Sequence, residues 1–181
     1  DTGAHGFELN FGCPHGMTER GMGAAVGQDP EIACMVVEWV MEKATIPVIT
    51  KLTPNVHSVV PTGRSVVKAG SNGLSLINTI QSVTGVDLDS FVPNPYVGGK
   101  SVFGGYCGPA VKPIALKMTY DVANTVKIPV IGMGGISSGN DAIEFMLAGA
   151  KAVMVGTWNF SNPKACIDII EGITDYLMMY N

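Results

Sequence analysis

The residue types best suited to chemistry lie in the segment 7–23, which reads FELNFGCPHGMTERGMG. It places the amide of Asn10, the ionisable thiol of Cys13 and the imidazole of His15, which titrates near neutral pH, close together in the chain. Pro14 and several glycines disfavour a helix here and allow a loop that opens and closes. A thiol on such a loop is well suited to proton transfer. The alternative is a small buried cysteine of the core, and the residue types alone leave both interpretations open.

The elements that must position these residues are five successive strand–helix units. Short apolar, β-branched runs alternate with amphipathic helical patterns, and this order favours parallel strands joined by right-handed helical crossovers. We therefore predict a parallel α/β fold, either a barrel or a doubly wound sheet. The predicted strands cover residues 7–11, 46–52, 74–79, 128–133 and 152–157.

The carboxyl ends of these predicted strands are the places where function is expected in either architecture. Each end carries a polar side chain or a glycine that lets a ligand approach the backbone. These residues are Asn10 and Cys13, Lys51, Asn78 and Thr79, Gly134 and Gly135, and Gly156 and Thr157.

The last two strand ends favour a phosphate. Gly134 and Gly135 precede a helix with a serine at its start, so backbone N–H groups and the positive helix end point the same way. Gly156 and Thr157 add further N–H groups and a hydroxyl one strand away. The alternative for the glycine pair is a tight turn with no ligand.

The remaining strand ends offer a charge and a pair of polar side chains. Lys51 either extends to water or supplies a fixed positive charge beside an anion that develops during a reaction. Asn78 and Thr79 either cap their strand or bind a planar heterocycle, because an amide pairs with both N–H and C=O edges.

Composition narrows the functional classes. The chain has 181 residues, 46% of them hydrophobic and 14% charged, with a net charge of −4, so no basic surface is available for nucleic acid. No apolar run reaches membrane-spanning length, so we expect no membrane association. The cysteines form no CxxC pair and suit a reducing cytoplasm without a metal site; they are Cys13, Cys34, Cys107 and Cys166.

A long segment, 80–108, separates the third strand from the next helix. It is rich in Gly, Pro, Asp and Asn, and a loop of this length inside a compact domain is normally functional or disordered. We predict a loop or excursion in which 86–89 and 100–103 form a small hairpin.

Several motifs resemble one family of flavoproteins. They are NFGCPHGMTERGMG (10–23), KLTPN (51–55), INTIQSVTGVDLD (77–89), GGKSVFGGYCGPAVKPIAL (98–116) and GMGGI (132–136). Together they are similar to the FMN-binding barrel of dihydropyrimidine dehydrogenase, of the bacterial catalytic-subunit type, within the dihydroorotate dehydrogenase-like superfamily. The resemblance implies that residues 1–181 are the C-terminal part of a (β/α)8 TIM barrel, units four to eight, with the N-terminal units missing.

The resemblance also implies roles for individual residues. Cys13 would be the acid/base and His15 would lie on the mobile loop near the ring, both in the catalytic group. Asn10, Asn78 and Thr79 would contact the pyrimidine, and Lys51 would lie near the flavin. The residues expected around the FMN ribityl phosphate are Gly108, Gly134, Gly135, Gly156 and Thr157.

The implied reaction is reduction of uracil or thymine at the 5,6 double bond, with hydride from flavin N5 to C6 and a proton from Cys13 to C5. Iron–sulfur clusters and NAD(P)H or FAD are expected only in missing regions or in an electron-transfer partner subunit, and an oligomer is expected. One alternative is an NAD-linked dihydroorotate dehydrogenase, which the segment 128–163 resembles more, although those enzymes usually have Asn where this chain has His15. A more remote alternative is a phosphate-binding barrel isomerase or synthase without flavin.

Overall fold

Five parallel strands form the central sheet of the computed structural model, which describes residues 2–13 and 21–180. The strands follow one another across the sheet in chain order, as expected when each strand is followed by a crossover helix. Neighbouring strands are in register at their carboxyl ends, where Asn10 lies opposite Lys51 and Lys51 opposite Ser75. The strands are β1 (Phe7–Asn10), β2 (Val48–Lys51), β3 (Gly73–Leu76), β4 (Val130–Met133) and β5 (Ala152–Met154).

Seven α-helices occur in the described ranges, and a capping side chain marks the start of two of them. Asp29 accepts hydrogen bonds from the backbone N–H groups of Glu31 and Ile32 at 2.9 and 3.1 Å, and the helix begins at Pro30. Ser138 caps a later helix through the N–H of Asp141 at 3.2 Å. The helices are α1 (Ala24–Gln28), α2 (Pro30–Met41), α3 (Val60–Lys68), α4 (Lys112–Ala123), α5 (Gly139–Leu147), α6 (Trp158–Ser161) and α7 (Ala165–Tyr180).

The hydrophobic core lies between the sheet and the helices. Leu74 and Leu76 of β3 are fully buried, as are Val66 of α3, Val122 of α4 and Phe145 of α5. Burial of such side chains contributes roughly 1.5–3 kcal/mol each, so this layer holds the strand ends in place. The predicted third and fifth strands were too long, because the strands end at Leu76 and Met154.

The segment 80–108 forms three short antiparallel pairs rather than one hairpin. Ile80–Ser82 pairs with Gly104–Tyr106 at its base. Beyond it, Gly85–Val86 pairs with Pro93–Asn94, and Tyr96–Val97 pairs with Lys100–Ser101. The predicted pairing of 86–89 with 100–103 is wrong because each of these stretches finds a nearer partner, and closing a short loop costs less entropy.

Among the described residues, no helix combines the length and the apolar character needed to cross a membrane.

Candidate functional site

A cavity of about 260 Å³ lies at the carboxyl edge of the sheet. It collects residues from the loops after β2, β3, β4 and β5 and from the segment before α4. The predicted site residues on its wall are Lys51, Asn78, Thr79, Gly108, Gly134, Gly135, Gly156 and Thr157.

Asn10, Asn78 and Thr79, here called the amide cluster, are joined by hydrogen bonds. Asn78 Nδ2 donates to Asn10 Oδ1 at 2.8 Å, and the N–H of Thr79 donates to Asn78 Oδ1 at 2.7 Å. The N–H of Gly12 also donates to Asn10 Oδ1, at 3.1 Å. Because a backbone N–H can only donate, these contacts fix which end of each amide is oxygen.

The amide cluster keeps hydrogen-bonding capacity for a ligand. Asn10 Nδ2 makes no hydrogen bond to any residue in the described part of the chain, and Asn78 Nδ2 carries a second hydrogen. Gly12 allows this arrangement, because a Cβ there would overlap the side chain of Asn78. Neutral amides in this geometry suit a planar ring with N–H and C=O groups.

Cys13 follows the strand that carries Asn10 but does not line the cavity itself. The side chain is half-buried, and its carbonyl accepts the N–H of Ala24, the first residue of α1, at 3.0 Å. A Cβ on Gly23 would lie 2.6 Å from that carbonyl, so a glycine is needed where α1 meets the loop. His15 lies outside the described residues, and its catalytic role stays a prediction.

Lys51 has a carboxylate neighbour that balances its charge. Its Nζ lies 3.6 Å from Oε2 of Glu8, on β1. The other carboxylate oxygen of Glu8 accepts the hydroxyl of Ser75, on β3, at 2.7 Å. The partner that a lysine at the end of an inner strand requires is therefore supplied by the adjacent strand.

Gly108, Gly134 and Gly135, here called the glycine cradle, lie where two backbone segments come into close contact. All three residues have positive φ, at 93°, 126° and 74°. A Cβ on Gly135 would lie 2.8 Å from the carbonyl oxygen of Gly108 and 2.8 Å from the N atom of Lys112, and a Cβ on Gly134 would lie 2.7 Å from Ala115 Cβ. Real Cβ atoms do not approach so closely, so these positions require glycine.

An ion pair behind the glycine cradle ties α4 to α5. Lys112 Nζ lies 2.6 Å from Asp141 Oδ1 and 2.9 Å from Glu144 Oε2. Asp141 Oδ2 accepts three further hydrogen bonds at 2.9 Å, from the N–H and hydroxyl of Ser137 and from the hydroxyl of Ser138. The charged side chain is therefore fully occupied by neighbours that flank the loop from Gly134 to α5.

These contacts shift the protonation equilibria of both partners. Burial alone would raise the pKa of Asp141, but hydrogen bonds from Lys112, Ser137 and Ser138 outweigh it and lower the pKa to about 2. The hydrogen bond to Asp141, and then that to Glu144, raises the pKa of Lys112. Both groups are charged at neutral pH, so the tie persists.

The glycine cradle has the features of an anion site. The nearby N-terminus of α5, the backbone flexibility of glycine and an open cavity side are typical of places where N–H groups contact a phosphate. Gly156 and Thr157 are exposed on the same cavity wall, and no atom lies within 4 Å of a Cβ built on Gly156.

Sequence reasoning missed several residues of this site. Glu8 belonged to a strand pattern, Asn55 belonged to the KLTPN motif without a role, and Lys112 and Asp141 were part of predicted helices. The one available signal was the motif itself, since Asn55 turns out to contact the segment beside the cavity. Additional cavity residues without an earlier role are Tyr106, Cys107, Met133, Met154, Trp158 and Ser161.

Comparison with known protein families gives one match over nearly the whole chain. The family model described as "Dihydroorotate dehydrogenase" matches residues 2–177. Curated relatives named "Dihydroorotate dehydrogenase B (NAD(+)), catalytic subunit" include that of Alkaliphilus metalliredigens, 47% identical over 174 residues, which are 96% of this chain and 55% of that protein. Those of Oceanobacillus iheyensis and Pyrococcus abyssi are 44% and 45% identical over 99% and 96% of this chain, each across 56% of the relative. The chain spans about half the length of the curated relatives it matches.

A solved structure shares the fold. The crystal structure of DHODH from Eimeria tenella in complex with ferulenol superposes with a TM-score of 0.76 at 17% identity, over 98% of this chain and 51% of that one. At this identity the likeness concerns the fold alone. The predicted fold class, an α/β fold forming part of a TIM barrel, is confirmed.

The comparisons overturn one expectation. The predicted reduction of uracil or thymine by a dihydropyrimidine dehydrogenase is wrong, because the relatives at 42–47% identity are named dihydroorotate dehydrogenases. The wider superfamily assignment is confirmed. The error came from giving the short loop with His15 more weight than the segment 128–163, whose resemblance to the dihydroorotate enzymes was the better guide.

Proposed function

This chain belongs to the dihydroorotate dehydrogenase family, and we propose that the full-length protein oxidises dihydroorotate to orotate with FMN as cofactor. The observation that carries the proposal is that Asn78 and Thr79 of the amide cluster line the same cavity as the glycine cradle, while Asn10 lies outside the cavity lining and is hydrogen-bonded to Asn78. One side suits a pyrimidine ring, and the other suits the phosphate of a flavin nucleotide.

The glycine cradle and its neighbours would hold FMN. Gly134, Gly135 and Gly108 would receive the phosphate through backbone N–H groups, with Gly156 and Thr157 on the adjacent wall. Lys51 would place its ammonium near the ring, where positive charge stabilises a reduced flavin. When bound, FMN supplies the acceptor for the hydride that leaves C6 of the substrate.

The amide cluster would orient the substrate. Asn10 Nδ2 and the second hydrogen of Asn78 Nδ2 are donors for ring carbonyl groups, and Thr79 adds a hydroxyl. A ligand lacking the matching groups would leave these amides unpaired, which gives strong discrimination. The ring plane is thereby set relative to the wall that carries Lys51.

Cys13 would act as the base. Its thiolate removes the proton from C5 of dihydroorotate, so that the C5–C6 bond becomes double as hydride leaves C6. The proposal is supported by the nearness of Cys13 to Asn10, three residues before it in the chain. His15 would assist from the same loop.

Glu8 would moderate the charge of Lys51. With the carboxylate 3.6 Å from the ammonium, the pair presents less net positive charge to the cavity than a lone lysine. The flavin would still meet a cation, but the free cofactor site would not carry an uncompensated charge.

We also propose an electron-transfer partner subunit that passes electrons to NAD⁺. The relatives' names include both "NAD(+)" and "catalytic subunit", which supports this division of labour. The scattered cysteines support a cytoplasmic site of action.

The test is anaerobic flavin reduction in the purified full-length gene product. We expect a yellow protein whose oxidised-flavin absorption disappears on addition of dihydroorotate and persists with dihydrouracil. A colourless protein, or one bleached by dihydrouracil but not by dihydroorotate, would contradict the proposal. Reduction of NAD⁺ only when the co-purified partner is present would support the partner subunit.

A further inference from the structure

Asn55 makes a set of contacts that no function assigned above uses. It lies in the loop after β2, at the end of the KLTPN motif, and is half-buried. Its Oδ1 accepts the N–H of Gln81 at 2.8 Å, and its Nδ2 donates to the carbonyl of Thr79 at 3.1 Å. Because the N–H of Gln81 can only donate, the oxygen and nitrogen of the amide are fixed in this orientation.

This two-point contact pairs with the backbone on both sides of Ile80, as a neighbouring strand would. Thr79 also lies close to Gly105, because a Cβ on Gly105 would overlap its hydroxyl. The segment that carries Asn78 and Thr79 therefore contacts both Asn55 and the strand containing Gly105.

Asn55 is itself anchored. Its N–H and its Nδ2 both donate to the hydroxyl of Thr53, at 3.2 and 3.1 Å, and its carbonyl accepts Nε2 of Gln28 at 3.1 Å. Thr53 is buried, so the anchor point belongs to the packed part of the fold. Asn55 is therefore hydrogen-bonded to the β2 loop on one side and to the segment after β3 on the other, so the position of the loop sets the position of that segment.

The hydrogen bonds continue from Asn55 to the loop that carries Cys13. Asn55 holds the carbonyl of Thr79, the N–H of Thr79 holds Asn78, and Asn78 donates to Asn10. Asn10 in turn accepts the N–H of Gly12, the residue before Cys13. The orientation of each member depends on the previous one.

We propose that Asn55 is a positioning residue that sets substrate affinity by holding the amide cluster in its binding orientation. The inference rests on the proposed function, since it concerns how the same site binds its pyrimidine. Without Asn55, the carbonyl of Thr79 and the N–H of Gln81 lose their partners, and the segment relaxes to find new ones. Substrate binding must then restore the order, which lowers affinity.

The experiment compares Asn55→Ala with the wild-type holoenzyme of the full-length protein. We expect the Kd of orotate, read from the shift of the flavin absorption band, and the KM for dihydroorotate each to rise about tenfold, because two hydrogen bonds are lost. The kcat at saturating dihydroorotate and the FMN content should change less than twofold, since Asn55 does not line the cavity proposed to hold the cofactor.

Asn55→Asp removes only half of the contact. Its carboxylate still accepts the N–H of Gln81 but cannot donate to the carbonyl of Thr79, so KM should rise here too while the backbone of the loop stays in place.

Asn124→Ala is the matched control, because Asn124 Nδ2 donates to the carbonyl of Tyr120 at 2.8 Å on an exposed helix end far from the site. It should leave KM, Kd and FMN content unchanged.

The possible outcomes distinguish a failure of the role of Asn55 from a failure of the proposed function. An unchanged KM and orotate Kd in both Asn55 variants, beside an active wild type, would overturn the role of Asn55 alone. If FMN content and kcat fall in Asn55→Asp by as large a factor as KM rises, the role of Asn55 is also overturned, since such changes indicate general disruption of the fold. A wild-type holoenzyme that neither binds orotate nor oxidises dihydroorotate would overturn the proposed function and the role of Asn55 with it.

Discussion

The glycine cradle and two members of the amide cluster, Asn78 and Thr79, line the same cavity, but the cradle and the cluster are held by different forces. In the amide cluster, neutral side chains on separate loops fix one another through hydrogen bonds, such as the 2.8 Å contact from Asn78 to Asn10. In the glycine cradle, the backbone segments of Gly108 and Gly135 touch directly, leaving no space for a Cβ on Gly135. An ion pair between Lys112 and Asp141 then holds the two helices behind it.

The difference matches what each side would bind. A pyrimidine ring is recognised by the direction of its donors and acceptors, so neutral amides with fixed orientation discriminate well. A phosphate is bound by several N–H groups at once, which requires close backbone approach and a nearby helix end rather than particular side chains. Removal of a polar group should therefore weaken binding at the amide cluster, whereas addition of a methyl group should weaken binding at the glycine cradle.

Replacing Cys13 with Ser should have the largest effect and should confine it to the substrate side. Turnover of dihydroorotate should fall by roughly 10²–10⁴-fold, because a hydroxyl is a much weaker base than a thiolate. FMN content, measured by absorbance after gel filtration, should stay unchanged because Cys13 does not line the cavity wall. Turnover at the wild-type rate would remove Cys13 from the reaction.

Gly135→Ala should damage the glycine cradle without changing any polar group. The new Cβ would lie 2.8 Å from the Gly108 carbonyl in a residue whose φ is 74°, and such strain costs about 1–3 kcal/mol. We expect FMN affinity to fall about tenfold or more, measured by fluorescence titration of the apoprotein. Gly85→Ala is the control, because no atom lies within 4 Å of the position that the new Cβ would take. FMN binding as tight in Gly135→Ala as in the control would refute the role of close packing.

Lys112→Met should weaken FMN binding at the glycine cradle less than Gly135→Ala does, because it removes only the ion pair behind the cradle. The substitution leaves Asp141 partly buried without its cation, and we expect FMN to dissociate a few-fold faster, as for the loss of about 1 kcal/mol. Lys117→Met is matched in residue type and helix, since Lys117 pairs with Asp121 at 2.6 Å on the exposed face of α4. Equal dissociation rates in the two variants, measured by stopped-flow fluorescence, would show that the tie does not support the cofactor side.

A pH dependence of the unfolding free energy should belong to the glycine side only. The pKa of Asp141 is about 2 in the folded protein, below the usual pKa of an aspartate, so its stabilising contribution is present above pH 4 and is lost as the pH falls towards 2. The contribution is on the order of 1–2 kcal/mol, and Asp141→Asn should reduce the acid-induced fall in unfolding free energy by that amount. The amide cluster does not titrate, so Asn78→Ala should leave the same fall intact. Denaturant titrations at pH 5 and pH 2.5 make the comparison.

Much of the fold could be predicted from the sequence because its signals are local. Asp29 and Pro30 start a helix, and Ser138 caps another, through contacts that span two or three residues. The apolar runs that became β2 and β4 were evident in the same way. The single predicted hairpin in 80–108 failed because several pairings were compatible with its composition, and nearness in the chain decided among them.

The candidate site was predicted in part, and the parts that were missed share a cause. Residues at strand ends, such as Lys51 and Thr79, were found because the ends of parallel strands must meet at one edge. Glu8 and Asn55 were missed because a supporting residue has no signature of its own. The choice of substrate was wrong because a single loop residue, His15, outweighed the similarity of a longer segment.

By itself, the sequence determined the order of parallel strand–helix units and which residues stand at the strand ends, since both follow from periodicity and capping. Only the tertiary structure decided which residues support them: Asn55 meets Thr79 across 24 positions, Lys112 meets Asp141 across 29, and Ser75 meets Glu8 across 67. These pairings depend on how the packed helices space the loops, and the packing of the core, not any local pattern, sets those distances.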